Sequence, residues 1–160
     1  KTVPGYLGAV YGQNPSAALR AMADNLDLVY PNQPVRSYVL RAGGRTEIDF
    51  MDYSGSGYGN ILLGSQPPWR VLITGNCTGR KALVISDSFG TAFATYLVAH
   101  YDEVHMVDLR PGRFDAAEAG GSPLELTRKY GIDDAFVILA RSSGPNHEYA
   151  NSLIAKYFRP

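Results

Sequence analysis

One serine of this chain follows an apolar strand pattern and precedes a helical pattern. Ser88 lies between the run at Ala82–Ser86 and the helical spacing at Thr91–Tyr101. At such a turn the first N–H groups of the helix have no intrahelical partner, and the helix dipole is positive. Both features stabilise a developing oxyanion, so the position suits a nucleophilic serine.

The residues around Ser88 support two interpretations. The run Ser86-Asp87-Ser88-Phe89-Gly90 has small residues two places before and after the serine, as in a nucleophile elbow. In this interpretation Ser88 is the nucleophile, and the turn at Asp87, Phe89 and Gly90 holds the oxyanion or the substrate. Alternatively, Ser88 is an ordinary helix N-cap, with Asp87 interacting favourably with the helix dipole. The two roles are compatible with each other.

Further polar residues follow two other apolar runs, at Val104–Asp108 and Ala135–Ala140. Ligands of open α/β sheets bind beyond the carboxyl ends of parallel strands, so we expect these residues to join Ser88. They are Asp108, Arg110, Arg141, Asn146 and His147. An acidic residue in the place of Asp108 also binds ribose in dinucleotide folds, but the turn DSFGTA lacks the glycine fingerprint. We predict no cofactor, and the alternative roles are ion pairs of Asp108 with Arg110 or Arg141 that only order the loops.

A nucleophilic serine needs a general base, and the chain has three histidines. His100 ends a helical pattern, and His105 lies inside a strand pattern, as a packed core histidine does. His147 is on a suitable loop but has Gly144 three residues before it, where a triad aspartate is often found. His147 is therefore the candidate base. Three scattered histidines and the single Cys77 have no zinc-site spacing, so we predict no metal.

The elements that must position these residues form an α/β pattern. Three near-continuous apolar runs alternate with helical patterns, which predicts parallel strands covered on both faces and therefore a three-layer α/β/α fold. The predicted helices are Thr91–Tyr101, Pro123–Tyr130 with a capping box at Ser122 and Gly131 after its end, and His147–Phe158.

The N-terminal half is predicted as hairpins added to that sheet. Val35–Arg41 pairs with Thr46–Phe50, and Trp69–Thr74 with Ala82–Ser86. Earlier in the chain we predict an Asn14-capped helix over Ala17–Leu26, a short strand at Leu28–Tyr30 and a Pro4–Gly12 segment that is irregular or partly extended. The Asp52–Gly59 loop has the glycines of a phosphate cradle but no following helix and no Lys-Ser/Thr pair, so we interpret it as a plain loop.

The composition fits one globular domain over residues 1–160. The chain has 15 basic and 15 acidic residues and 45% hydrophobic residues. Zero net charge gives no electrostatic case for nucleic acid, and no apolar run is long enough to span a membrane. Because the sequence begins at Lys1 with neither Met nor a signal peptide, we interpret it as a piece of a longer protein.

Three stretches resemble the C-terminal part of the DHHW family. They are GYGNILLGSQP (Gly57–Pro67), KALVISDSFGTAFATYLVAHYDEVHMVDLRPGRF (Lys81–Phe114) and YGIDDAFVIL (Tyr130–Leu139), whereas the first 50 residues match only weakly. The family is SGNH-hydrolase-like and similar to periplasmic proteins that O-acetylate alginate and other exopolysaccharides. The resemblance thus implies an SGNH-like, flavodoxin-like sheet, with Ser88 as the nucleophile and Asp87 as its neighbour.

The resemblance also implies an activity and a place of action. We expect the serine-bearing part of an acyl esterase or O-acetyltransferase that acts on an extracellular polysaccharide outside the cytoplasm. The Asp-His-His-Trp motif of the family, and the upstream Asp–His pair of the related acetyltransferases, are missing here. The chain alone is therefore expected to be weak or inactive. The alternative is a non-catalytic carbohydrate-binding or scaffold domain of the cell envelope, for which Tyr53 and Tyr58 are candidate sugar-stacking residues.

Overall fold

The computed structural model describes residues 2–7, 15–27, 30–51, 69–109, 112–139 and 147–158. The strands in these ranges are β1 (Thr2–Tyr6), β2 (Asp24–Asp27), β3 (Arg36–Arg41), β4 (Gly44–Ile48), β5 (Arg70–Ile73), β6 (Lys81–Ser86), β7 (Glu103–Val107) and β8 (Asp134–Ile138). The helices are α1 (Ala17–Ala21), α2 (Ser88–Leu97), α3 (Ala116–Ala119), α4 (Pro123–Tyr130) and α5 (His147–Phe158).

Six of these strands form one mixed sheet in the order β4-β3-β5-β7-β6-β8. Strand β6 is parallel to both of its neighbours, β7 and β8, and every other pair is antiparallel. The fold is thus α/β, and the three runs predicted as parallel strands are parallel, as β6, β7 and β8. The sheet as a whole is mixed and not parallel. The reason is that β5 joins β7 in the antiparallel sense and extends the sheet with β3 and β4.

The two predicted hairpins have different outcomes. The β3–β4 hairpin is confirmed, with Arg41 opposite Gly44 at its turn. The hairpin of Trp69–Thr74 with Ala82–Ser86 is wrong, because β7 lies between β5 and β6. A short turn favours pairing of its flanking strands, but here both strands instead pair with β7, which is buried from Val104 to Val107.

Helices cover the sheet from both faces. On one face Ala94 and Leu97 of α2, with Val98 just after it, pack against side chains of β5, β6 and β7. On the other face Ala119 of α3 and Leu126 of α4 pack against a second cluster that includes Trp69 and Leu83. Strand side chains alternate between faces, so β6 contributes to both clusters and is buried along most of its length.

Tertiary pairing changes the predicted N-terminal elements. The predicted Ala17–Leu26 helix stops at Ala21, and residues 24–27 form β2, which pairs with β1 in a separate two-stranded sheet. Ser16 is the N-cap of α1, and the predicted cap Asn14 lies outside the described residues. Of the predicted strand at 28–30, residues 28 and 29 also lie outside them, and so do residues 8–12 of the N-terminal segment.

The C-terminal elements follow the predicted pattern more closely. Helix α4 has the predicted bounds and the capping box of Ser122, and Gly131 ends it in the left-handed conformation. Strand β8 differs from the prediction, because it lies at the sheet edge and its burial alternates. The side chain of Val137 is 43% exposed, so β8 is covered on one face rather than on both.

Candidate functional site

The parallel part of the sheet has its topological switch point at β6. The chain leaves β6 through α2 to reach β7 on one side, and it later returns across to β8 on the other side. The two connections use helices on opposite faces of the sheet, and open α/β sheets typically bind ligands beyond the carboxyl ends of the strands at such a point, here β6 and β8. Ser88 is the first residue of α2 and is separated from β6 by Asp87 alone.

Two small residues, Ser86 and Gly90, approach each other unusually closely at the strand-to-helix turn. A Cβ atom placed on Gly90 would lie 2.0 Å from Ser86 Cβ and 2.4 Å from its Oγ. Gly90 is buried at the helix start, and its N–H donates to the carbonyl of Asp87 at 3.2 Å. The small residues two places before and after Ser88 therefore touch each other, as the sequence pattern of an elbow requires.

Asp87 lies between the strand and the helix. Because α2 begins at Ser88, Asp87 takes the N-cap position, and Ser88 is one residue further along than an N-cap. The residue is 1% exposed, and its backbone N–H donates to the carbonyl of Ile138 at 3.4 Å. This bond ties the turn to the end of β8.

Of the other predicted site residues, the structure places Asp108 at the same edge. Asp108 follows β7 directly and is 6% exposed, so a second buried carboxyl group is close to the end of β6. Strand β8 ends in register with Ser86, so the segment after Leu139 leaves the sheet at this edge. Arg110, Arg141 and Asn146 lie outside the described residues, and His147 is the first residue of α5.

His105 is packed in the core, as predicted. It is 1% exposed, Trp69 Nε1 donates to its Nδ1 at 2.9 Å, and its Nε2 lies 3.0 Å from Glu103 Oε2. Burial lowers the pKa of His105 below its ordinary value, although the Glu103 carboxylate opposes this. The bond with His105 is the main cause that lowers the pKa of Glu103 to about 2, and Lys81 Nζ adds to it at 2.9 Å. Both ring nitrogens of His105 thus have partners, Trp69 and Glu103, and neither nitrogen is available to Ser88.

His100 is also remote from the candidate nucleophile. It is exposed, and it lies twelve residues after Ser88, beyond the C-terminal end of α2. At about 1.5 Å per residue the helix from Ser88 to Leu97 alone is roughly 13 Å long, and His100 lies beyond its far end. Of the three histidines, His147 alone stays a candidate base. Among the described residues, no three His, Cys, Asp or Glu side chains come together as metal ligands would.

The sequence patterns did not reveal a buried arginine on the α2 face of the sheet. Arg70 is 2% exposed, its Nε donates to Ser37 Oγ at 2.7 Å, and one terminal nitrogen donates to the Asp49 carbonyl at 2.7 Å. Burial lowers the pKa of Arg70 to about 10, so the side chain is still charged at neutral pH. The sequence shows only that Arg70 stands near the start of a strand pattern. Nothing in that pattern distinguishes this arginine from one on the surface.

Comparisons with known proteins bear on the fold. The chain has the fold of a DHHW family protein. That protein, from Eubacterium siraeum, superposes with a TM-score of 0.75 at 18% identity, over 100% of this chain and 53% of its own. The likeness therefore includes the first 50 residues, where the sequence resemblance is weak. No family model matches the sequence, and no curated protein matches it either.

Two structures of PatB1 from Bacillus cereus are also similar. One matches with a TM-score of 0.57 at 16% identity, over 75% of this chain and 41% of its own. The other, with a sulfonyl adduct, has a TM-score of 0.56 at 16% identity, over 75% of this chain and 42% of its own. The chain thus spans about half the length of the solved structures it matches. No helix in the ranges given above is long and apolar enough to cross a membrane.

Proposed function

We propose that this chain is the serine-bearing part of an SGNH-like acyl esterase or O-acetyltransferase, corresponding to the C-terminal part of DHHW family proteins. The observation that carries the proposal is the contact of Ser86 with Gly90 on either side of Ser88. An ordinary helix start needs no such approach, whereas an elbow needs it to hold its serine at the top of a strand. The likeness to a DHHW family protein and to PatB1 with a sulfonyl adduct supports the same proposal, since sulfonyl groups react with nucleophilic side chains.

The reaction would use the turn as follows. Ser88 Oγ attacks the acyl carbon, its proton passes to an imidazole, and the backbone N–H groups of Ser88 and of the turn after it hold the oxyanion. The bond to the leaving oxygen breaks, and that oxygen takes the proton back from the imidazolium. Water then releases the acyl group in an esterase, or a sugar hydroxyl accepts it in an acetyltransferase. Asp108, Arg110, Arg141 and Asn146 are proposed to bind the substrate around this centre.

The base is the incomplete part of the site. His105 is committed to Trp69 and Glu103, and His100 lies far along α2, so His147 or an Asp–His pair from outside this chain must accept the proton. We propose that the Asp–His pair from outside this chain is the main base, by resemblance to the related acetyltransferases. The chain alone is then expected to hydrolyse esters slowly. A polysaccharide of the cell envelope, met outside the cytoplasm, is the proposed substrate.

Covalent labelling tests the nucleophile independently of turnover. The whole protein, which includes the proposed upstream Asp–His pair, is incubated in its folded state with phenylmethylsulfonyl fluoride, and the adduct is located by peptide mass spectrometry. We expect one adduct on Ser88, none in Ser88→Ala, and an unchanged adduct in Ser122→Ala, whose serine only caps α4. A chain that is labelled no faster when folded than when unfolded in urea would refute the nucleophile.

A non-catalytic carbohydrate-binding or scaffold domain is the second candidate. The observation in its favour is that both histidines with described side chains lie away from Ser88. It predicts that Ser88→Ala leaves binding to an acetylated polysaccharide unchanged and that Tyr53→Ala or Tyr58→Ala weakens it. Localisation of the whole protein inside the cytoplasm would contradict both candidates.

A further inference from the structure

The buried His105 forms a link between two strands that the proposed reaction does not use. Trp69, at the start of β5, donates its indole N–H to His105 Nδ1 on β7, and both side chains are at most 1% exposed. Strand β5 is the only described connection between the parallel strands and the β3–β4 hairpin in the sheet order. The Trp69–His105 bond therefore spans the boundary between the two parts of the sheet.

The partners of His105 fix its protonation state. An indole nitrogen can only donate, so Nδ1 must be unprotonated to accept from Trp69 at 2.9 Å. The ring proton is then on Nε2, which donates to the Glu103 carboxylate. In this tautomer the neutral imidazole has a partner at each nitrogen, and the buried indole N–H is satisfied as well.

A second proton would break this arrangement. It can only add to Nδ1, which places two N–H donors against each other and leaves the Trp69 N–H without an acceptor in a dry interior. Glu103 would favour the imidazolium from the other side. However, Lys81 Nζ already binds Glu103 at 2.9 Å and repels a further positive charge. On the α4 side His105 faces the ring of Tyr130, with 5.0 Å between centroids, which offers no counter-charge.

We propose that Trp69 and His105 form an acid-sensitive latch, in which protonation of His105 releases Trp69 and loosens β5 from β7 while the rest of the fold persists. The first link to open is a side-chain bond between the strands, not a helix or the β6–β7–β8 core. The consequence is local: the β3–β4 hairpin becomes less tightly held to the parallel strands in mildly acidic solution.

Trp69 is the single tryptophan of the chain, so its fluorescence reports on the latch directly. We expect a reversible change of emission between pH 8 and 4.5, with a midpoint below the ordinary histidine value of about 6.5 and with the far-UV circular dichroism unchanged. His105→Asn keeps an acceptor near the Nδ1 position and cannot be protonated, so it should abolish the change. His100→Asn is the matched control at an exposed histidine and should retain it.

Emission that is constant across this range in the wild type, or a change that persists in His105→Asn, would overturn the latch. If His105→Asn does not fold, Trp69→Phe supplies the decisive measurement. Without the indole donor, protonation of His105 no longer creates a clash of donors, so its midpoint in an NMR titration should rise towards 6.5. An unchanged midpoint in Trp69→Phe would also overturn the proposal.

Discussion

Replacing Gly90 with alanine tests whether the Ser88 turn is as tight as the structure indicates. The added Cβ would lie 2.0 Å from Ser86 Cβ, about 1.4 Å short of the 3.4 Å at which ordinary contact begins. Both atoms are attached directly to backbone, so neither can rotate away, and α2 or β6 must move. Overpacking of this kind costs about 1–3 kcal/mol, and a fixed clash lies at the upper end.

Helix propensity acts in the opposite direction. Alanine is favoured over glycine in a helix interior by about 1 kcal/mol, so the expected net loss for Gly90→Ala is about 2 kcal/mol. Urea unfolding followed by circular dichroism measures it. With a slope of about 2 kcal/mol per molar urea, the midpoint should fall by about 1 M. Gly75→Ala is the control, since its new Cβ would have no atom within 4 Å and its backbone is unstrained.

A second substitution separates the clash from other effects. Ser86→Gly removes both atoms nearest to the new Cβ and leaves Val84 Cγ1 at 3.3 Å. The double variant should therefore be more stable than the sum of the two single changes predicts, by about 1 kcal/mol or more. A Gly90→Ala chain within about 0.5 kcal/mol of the wild type, or strict additivity with Ser86→Gly, would refute the reasoning.

Three further outcomes are expected. Ser122→Ala removes the capping box of α4 and should lower the free energy of unfolding in urea by about 1 kcal/mol. Ser16→Ala, at the N-cap of the exposed α1, should lower the same free energy by less than half as much. Because the folded pKa of Glu103 is about 2, the stabilising effect of its carboxylate is complete above about pH 4.5 and is lost as the pH falls towards 2. The free energy of unfolding of Glu103→Gln should therefore depend less on pH in this range than that of the wild type. Asp102→Ala removes the acceptor of the N–H groups in the turn before β6, so the exposed Cys77 should react faster with a thiol reagent, and an unchanged rate would contradict this role.

Local sequence signals predicted the elements whose determinants are themselves local. The capping box of Ser122 and the left-handed Gly131 fix both ends of α4 within ten residues, and its predicted bounds are confirmed. The hairpin across Gly43 and Gly44 is confirmed for the same reason. In each case the residues that determine the structure are adjacent in the chain, so no distant partner is needed to recognise it.

Distant partners decided the elements that were predicted wrongly. Residues 24–27 have the spacing of a helix end, but β1 offers them a strand partner, with Val3 opposite Leu26. The turn between β5 and β6 suggests a hairpin, yet β7 returns from further along the chain and separates the two strands. The same limitation applies to the His105 link, because periodicity predicts that a residue is buried but not that Trp69 will be its partner.

The presence of glycine at position 90 indicates that the sequence of the Ser88 turn favours its geometry over its stability. Glycine inside a helix costs about 1 kcal/mol relative to alanine, and nothing in the first turn of α2 requires a positive φ at this residue. The cost is explained only by the approach of Ser86, which leaves no room for any side chain. Sites where a sequence departs from its local optimum in this way are typically functional. The departure lies beside Ser88, which the fold holds at its topological switch point. Local stability and the proposed chemistry thus conflict at the place where a nucleophile elbow would require it.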